Sequence, residues 1–266
     1  MGRIHLFEFT DLPWYPDTFR RIQTDYLQFV ATRGSGYKNL IPLIIKALHQ
    51  SGTTEIVDLC SGATGPWLNL QPQLAQAGCP VSIRLTDKYP HPEIVQRWTN
   101  TSDRSIEYLP EPVDALNVPP HLKGMRTLFE GFHHFKPEHA RAILQDAARQ
   151  RVAIGVFDIT LMPPFGYFLL PLAPLSTLLS YIFMTPFIRP HTLARFFWTY
   201  LLPVVPLATC WDGVISLLRV YSPPELKALT ALIPSAGYAW EAGLASTGTP
   251  PFVYTYLVGY PASEAP

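Results

Sequence analysis

Apolar positions recur along this chain at two different periods, and the change of period marks its organisation. Over Asp17 to Val30, the residues Phe19, Ile22, Tyr26 and Phe29 follow one another at three- and four-residue spacing. Leu40, Ile44, Ala47 and Leu48 do the same over Tyr37 to His49. That spacing puts apolar side chains on one face of a helix, so two leading helices are predicted, with "RGSG" as the break between them. From Thr54 onward, short apolar runs alternate with helical stretches. "EIVDL", "PVSIRLTD", "SIEYLP", "GMRTLFEGF" and "VAIGVFDIT" read as strands; Trp67 to Ala77, "PEIVQRW" and "PEHARAILQDAARQ" read as helices. In the last of these, Pro137 sits in the first turn and Ala140, Ile143, Leu144 and Ala147 share one face. Alternation of this kind predicts a parallel sheet with right-handed crossovers and helices on both faces. "PPELKALTALIPSAG" adds a helix. "YAWEAG" and "PFVYTYLVGYP", separated only by "LASTGTP", predict a closing antiparallel hairpin.

Residues 162–211 interrupt the rhythm. Phe165 to Ile188 carries no formal charge and exceeds the length of a membrane span, yet it contains Pro171, Pro174 and Pro186. A second apolar piece, Phe196 to Cys210, is short for a span and holds Pro203 and Pro206. The closing strands must rejoin the same sheet, so the segment crosses a bilayer twice or not at all. A crossing hairpin would place Arg189 and Arg195 outside, against the positive-inside tendency. The expectation is a lid of short bent helices over the active site that dips into a membrane surface. "CWDGVISLLRVYSPPEL" reads as the return to the sheet, with Asp212 either a polar group of the acceptor site or a cap. The domain reading is thus a helical cover over 1–50, a core over 51–161 and 212–266, and an apolar insertion over 162–211.

Composition narrows the partners. Of 266 residues, 48% are apolar and 15% charged, with 20 basic and 20 acidic side chains giving zero formal charge. A nucleic-acid footprint would appear as a basic excess, so none is expected. Cys60, Cys79 and Cys210 are odd in number and far apart, which reads as reduced thiols in a cytoplasmic setting. No CxxC motif or His/Cys cluster is present, and no metal is expected. "MGRIHLFEFTDLPWYP" lacks an apolar core of signal-peptide length.

The candidate chemistry begins at "EIVDLCSGATGP". An apolar run ends on Asp58 and breaks into small residues, with Gly62 and Gly65 set among Ser61, Ala63 and Thr64. Small residues let a backbone approach a ligand outside the carboxyl ends of the strands, and the next helix start supplies free N–H groups. Cys60 stands where such loops usually carry glycine. The pattern is not GxGxxG, so it gives weak support for a pyrophosphate site. Asp87 ends the second strand, where a carboxylate accepts two hydrogen bonds from a ribose diol. Asp114, in "VDAL" after the third strand, is placed to accept from an adenine amino group. Together they outline an adenosine site without a phosphate clamp.

Across residues 37–160 and 213–260 the chain resembles the class I S-adenosylmethionine-dependent methyltransferases. The resemblance rests on "VDLCSGATGP", "LTDKYP", "VDALNVP", "LFEGFHHFKPEHARAILQDA" and the closing "YAWEAG…PFVYTYLVGY". It implies an α/β fold: a doubly wound, Rossmann-like, seven-stranded and mostly parallel sheet in the order 3-2-1-4-5-7-6. It also implies S-adenosylmethionine as cofactor. Ser61, Gly62 and Gly65 would line its methionine part, Asp87 the ribose, and Asp114 with Ala115 the adenine. Asp58, Glu130 and Tyr37 complete the candidate cofactor-binding set. Cys60 and Thr64 depart from the family, where glycine is commoner.

Methyl transfer asks for orientation and, for a protonated acceptor, a base. His133 and His134 follow the fourth strand and are the candidate catalytic residues; paired histidines are also a helix-entry feature of the family. Glu130 and Asp158 are strand-end acids able to hold an acceptor amine or hydroxyl, or to cap a helix. Trp14, Tyr15, Tyr26 and Tyr37 either cover the cofactor or pack in a core. The expected function is methyl transfer to a small, lipophilic acceptor, with peripheral membrane contact through 165–210 at the inner face of a membrane. The alternative is a non-catalytic binding or membrane-associated interaction protein. An aminopropyl transferase is disfavoured, because no acidic stretch follows the fourth strand.

Overall fold

The computed structural model describes residues 3–33, 36–90, 92–99, 105–163, 165–234 and 236–262. The predicted break at Gly34 and Ser35 lies outside them. Seven strands form one sheet in the order β3-β2-β1-β4-β5-β7-β6. They are β1 (Glu55–Asp58), β2 (Ser82–Leu85), β3 (Ile106–Tyr108), β4 (Met125–Phe129), β5 (Ile154–Leu161), β6 (Tyr238–Ser246) and β7 (Phe252–Pro261). The first five pair in parallel; β7 lies antiparallel between β5 and β6. This is the Rossmann-like fold the resemblance implies, reversed last strand included.

Successive side chains of a strand point to opposite faces, and the runs divide accordingly. Ile56, Ile83, Met125 and Phe157 join one core under α2 (Ile41–Ser51), α3 (Trp67–Gln76) and the partly buried face of α4 (Pro92–Thr99). Val57, Leu128, Ile154 and Val156 join the other, under α5 (Pro137–Arg149) and α9 (Pro223–Ala231). On α5 the four buried residues are the predicted stripe of Ala140, Ile143, Leu144 and Ala147. Pro137 occupies the first turn, where its missing N–H costs nothing.

A third core lies off the sheet. Ile22 and Tyr26 of α1 (Asp17–Arg33) pack with Tyr181 and Ile188, and with Val205 of α8 (Val204–Arg219). Tyr26 stacks on Tyr181, centroids 4.2 Å apart, and its hydroxyl donates to Ser180 at 2.9 Å. The leading helix α1 is therefore built into the insertion, whereas α2 belongs to the sheet. Within the insertion come a 3-10 stretch (Phe165–Leu172), α6 (Ala173–Met184), α7 (Leu193–Phe196), a π turn (Phe197–Leu201) and α8.

Pro171 lies inside the 3-10 stretch, and the chain bends by 74° between Leu193–Leu201 and α8, at the break that holds Pro203, as short bent helices would require. Pro174 opens α6, Pro203 caps α8 and Pro206 lies in the first turn of α8. At such positions no intrahelical N–H is lost. In consequence, α8 runs unbroken through Cys210 and Asp212 to Arg219, and the stretch read as a return to the sheet is its continuation.

Candidate cofactor and active site

The strand order reverses between β1 and β4, and the loops leaving both strands meet there. A Cβ built on Gly131, just after β4, would stand 3.2 Å from the Cβ of Cys60, just after β1. Cys60 itself has φ +58°, inside the left-handed region that explains why glycine is usual there. Its thiol is pushed well above the ordinary range by burial and by the neighbouring Asp87 and Asp58 carboxylates, so it is a poor nucleophile. Replacing Cys60 by glycine relieves the backbone, which costs other residues about 1–2 kcal/mol, at the expense of part of that gain in unfolded-chain entropy. The expected result is an unchanged or slightly higher urea midpoint. A drop worth more than about 1 kcal/mol would show that thiol packing outweighs the strain.

Asp58 lies beneath the loop, buried. Ser61 Oγ donates to its Oδ2 at 2.6 Å and Thr127 Oγ1 donates to its Oδ1 at 2.6 Å. Burial pushes its pKa up to about 6 against those bonds. Both oxygens are engaged from within, and so is the Ser61 hydroxyl. Asp58 and Ser61 thus hold the loop's shape, and what the loop offers a ligand is its backbone at Gly62 and Gly65. Both glycines have positive φ, and a Cβ on Gly62 would meet nothing within 4 Å.

Asp87 connects the strand ends. Its Oδ2 accepts from Gly62 N at 3.0 Å and its Oδ1 from Tyr89 N at 2.9 Å, while its own carbonyl accepts from Val113 N. It is half-buried. Each carboxylate oxygen keeps a second lone pair for a diol. Tyr108, at the end of β3, donates its hydroxyl to Gly62 O at 2.8 Å. Asp114 accepts from Leu116 N and from Lys88 Nζ at 2.7 Å. Burial opposes its ionisation, but these partners hold its pKa below the usual carboxylate range. Ala115, beside it, is buried in the core. Gly62, Asp87 and Asp114 thus form one connected rim at the carboxyl ends of β1, β2 and β3. Lys88, which sequence reasoning passed over, bridges to Asp114.

The remaining candidates separate. Glu130 has φ +53° and folds back so that both its oxygens accept from Ile159 N, at 3.1 and 2.9 Å. Burial and the Asp158 charge raise its pKa well above the ordinary value. Tyr37 is buried among Phe129 and Tyr254, and burial raises its phenol strongly. Tyr15 donates to Gln23 Oε1 at 3.0 Å, and Trp14 is exposed. These four aromatics do not form a single cover.

His133 and His134 stand at a buried charged cluster with residues from the far N-terminus. His133 Nδ1 lies 3.0 Å from Asp158 Oδ1, and His134 Nδ1 lies 2.8 Å from Asp11 Oδ1. Arg219 Nη1 donates to Glu8 Oε1 at 2.8 Å and to Asp11 Oδ2 at 2.7 Å, and its Nη2 donates to the His134 carbonyl. Arg3 donates to the carbonyls of His133, Phe135 and Arg219. Asp212 accepts from Phe9 N, Thr10 N and Gln23 Nε2. Burial raises Glu8, which Arg219 and His134 oppose; at Asp11 those two partners overcome burial and lower the pKa well below the carboxylate range. The sequence offered no signal for Glu8, Asp11 or Arg219.

No protein-family model and no curated protein matches the chain. Solved structures resemble it in shape. A structure of LepI in complex with SAM is 17% identical, with a TM-score of 0.45 over 82% of this chain and 46% of that one; this chain spans less than half of its length. Magnesium protoporphyrin IX methyltransferase from Synechocystis PCC 6803, with bound SAH, is 13% identical, with a TM-score of 0.44 over 92% of this chain and 94% of that one. A putative zinc-dependent alcohol dehydrogenase from Rhodobacter sphaeroides is 14% identical, with a TM-score of 0.49 over 93% and 98%. Likeness at this level says nothing of chemistry. The fold is defined by the chain's own strand order.

Proposed function

We propose that this protein is an S-adenosylmethionine-dependent methyltransferase acting on a small, lipophilic acceptor at the inner face of a membrane. The observation that carries the cofactor is the Asp87 carboxylate bound to Gly62 N at 3.0 Å, at the carboxyl ends of adjacent parallel strands. In a doubly wound sheet, ligands settle there. The residues fit: a half-exposed acid with spare lone pairs for the ribose, an unobstructed glycine for the methionine part, and Asp114 with Ala115 for the adenine. When bound, the cofactor supplies an already activated methyl group. What remains for this chain is to orient the acceptor and exclude water. Three free thiols suit a reducing compartment.

Acceptor class and location rest on the insertion. Phe168–Phe187 is an apolar helical run of 20 residues with mean hydropathy 1.6, and 11% of it is buried. Phe168, Phe183, Phe187 and Leu193 are all more than two-thirds exposed. Apolar area of that extent is covered in a working protein, and an apolar acceptor would reach the site from the same phase. Three experiments test this. Calorimetry should show adenosylhomocysteine binding to the purified protein, and its absence defeats the cofactor assignment. Incubation with methyl-labelled cofactor and either the lipid or the aqueous extract of cells should label a product from the lipid extract. Changing Phe183, Phe187 and Leu193 together to Glu should cut vesicle co-sedimentation at least a hundredfold, since burying each is worth about 1.5–3 kcal/mol. Cofactor affinity should not move. Undiminished co-sedimentation would remove the membrane reading.

A further inference from the structure

The structure assigns a second ligand site where the segment carrying Arg3, Glu8 and Asp11, a strap across the turn after β4, meets that turn: a divalent transition-metal site made by Glu8, His133 and His134. One ligand atom from each lies within 4.8 Å of the other two. His133 Nε2 stands 3.8 Å from Glu8 Oε1, and His134 Nε2 stands 3.9 Å from Glu8 Oε2. These separations need to shorten by a few tenths of an ångström to bracket an ion with Zn–N and Zn–O bonds near 2.0–2.2 Å.

Three observations point to an ion rather than to two ordinary core histidines. The first is an orphan. His133 is 3% exposed, yet its Nε2 has no hydrogen-bond partner among the described residues. A neutral or a charged ring leaves a buried polar atom unsatisfied there, which proteins rarely tolerate.

The second is the orientation of the rings. Each directs Nδ1 to a carboxylate, His133 to Asp158 and His134 to Asp11, and each directs Nε2 toward Glu8. A carboxylate behind the imidazole fixes the tautomer and raises its basicity as a ligand. Two metal-facing histidines would be expected to share this arrangement, whereas packing alone gives no reason for both rings to adopt it.

The third is charge. Glu8, Asp11, Asp158 and Asp212 bring four carboxylates into the cluster, against the guanidiniums of Arg3 and Arg219. Carboxylates outnumber guanidiniums in that set, which favours a cation among them. Two imidazoles and one carboxylate select a first-row transition ion over Mg²⁺ or Ca²⁺. This set was not visible as a zinc motif, because Glu8 is separated from the histidines by more than a hundred residues.

The test uses the metal alone as probe. Full-length protein stripped with a chelator and dialysed should take up one equivalent of Zn²⁺. It should also take up one equivalent of Co²⁺, whose visible absorption would report nitrogen and oxygen ligands at fewer than six positions. His134→Ala removes a partly exposed ring and should weaken uptake at least tenfold; Glu8→Gln, which retains an acceptor for Arg219, should do the same. His121→Ala, at an exposed site elsewhere, should leave uptake unchanged. Far-ultraviolet circular dichroism confirms that each variant is folded. No uptake by the wild-type protein at micromolar metal overturns the assignment. So does uptake by folded His134→Ala and Glu8→Gln equal to that of the wild type.

Discussion

Replacing Asp87 by alanine is expected to weaken adenosylhomocysteine binding by about 1.5–3 kcal/mol for each ribose hydrogen bond lost, or roughly ten- to hundredfold per bond. The side chain does two jobs that the substitution separates from folding. It accepts from Gly62 N and Tyr89 N, fixing the loop that a cofactor would touch, and it presents its spare lone pairs outward. Being half-buried at a loop, it contributes little to stability, so the urea midpoint should hardly change. Asp87→Asn keeps one acceptor oxygen and should recover part of the loss. Calorimetry giving equal affinities for the wild type and Asp87→Ala would mean that the rim at β1, β2 and β3 is not where the adenosine sits, whatever the rest of the fold suggests.

The second large effect concerns stability. Arg219 is 2% exposed and bridges Glu8, itself 3% exposed, to Asp11. Arg219→Met replaces the guanidinium by an apolar chain of similar reach and leaves those carboxylates without their cation. Removing one partner from a buried ion pair costs about 3–5 kcal/mol, a large share of a typical domain's stability. Urea denaturation should report that loss at pH 7. Adding Glu8→Gln to Arg219→Met should return part of it, because the charge left uncompensated is then gone. A single-variant loss below about 1 kcal/mol would mean that the cluster is effectively solvated.

The sheet was legible because its signals are local. Ile56 and Val57 already name opposite faces, the stripe on α5 is complete within eight residues, and Gly62, Asp87 and Asp114 mark strand ends by their place after apolar runs. The charged cluster was not legible. Glu8, Asp11 and Arg219 are ordinary polar residues in sequence, and what makes them a site is a meeting across more than 200 positions. Ser61 misled for a related reason. A hydroxyl in a glycine loop reads as a ligand contact, but here it donates down to Asp58. In the insertion, Pro203 marks the 74° bend that the sequence led one to expect, whereas Pro174 and Pro206 stand in first turns, where a proline begins a helix and does not bend it.

The strap that carries Arg3, Glu8 and Asp11 also sets an order of events during synthesis. Glu8 pairs with a residue 211 positions later, so a segment made early finds its place only late. At about 5–20 residues per second the strap waits roughly 10–40 s for Arg219 to be made. Throughout that time Phe7 has no Trp211 ring to pack against. The sheet order imposes a similar delay, since β7 is made after both β5 and β6 and must enter between them. Nascent chains stalled just short of Arg219 should therefore expose the strap to protease, and chains stalled well beyond β7 should protect it.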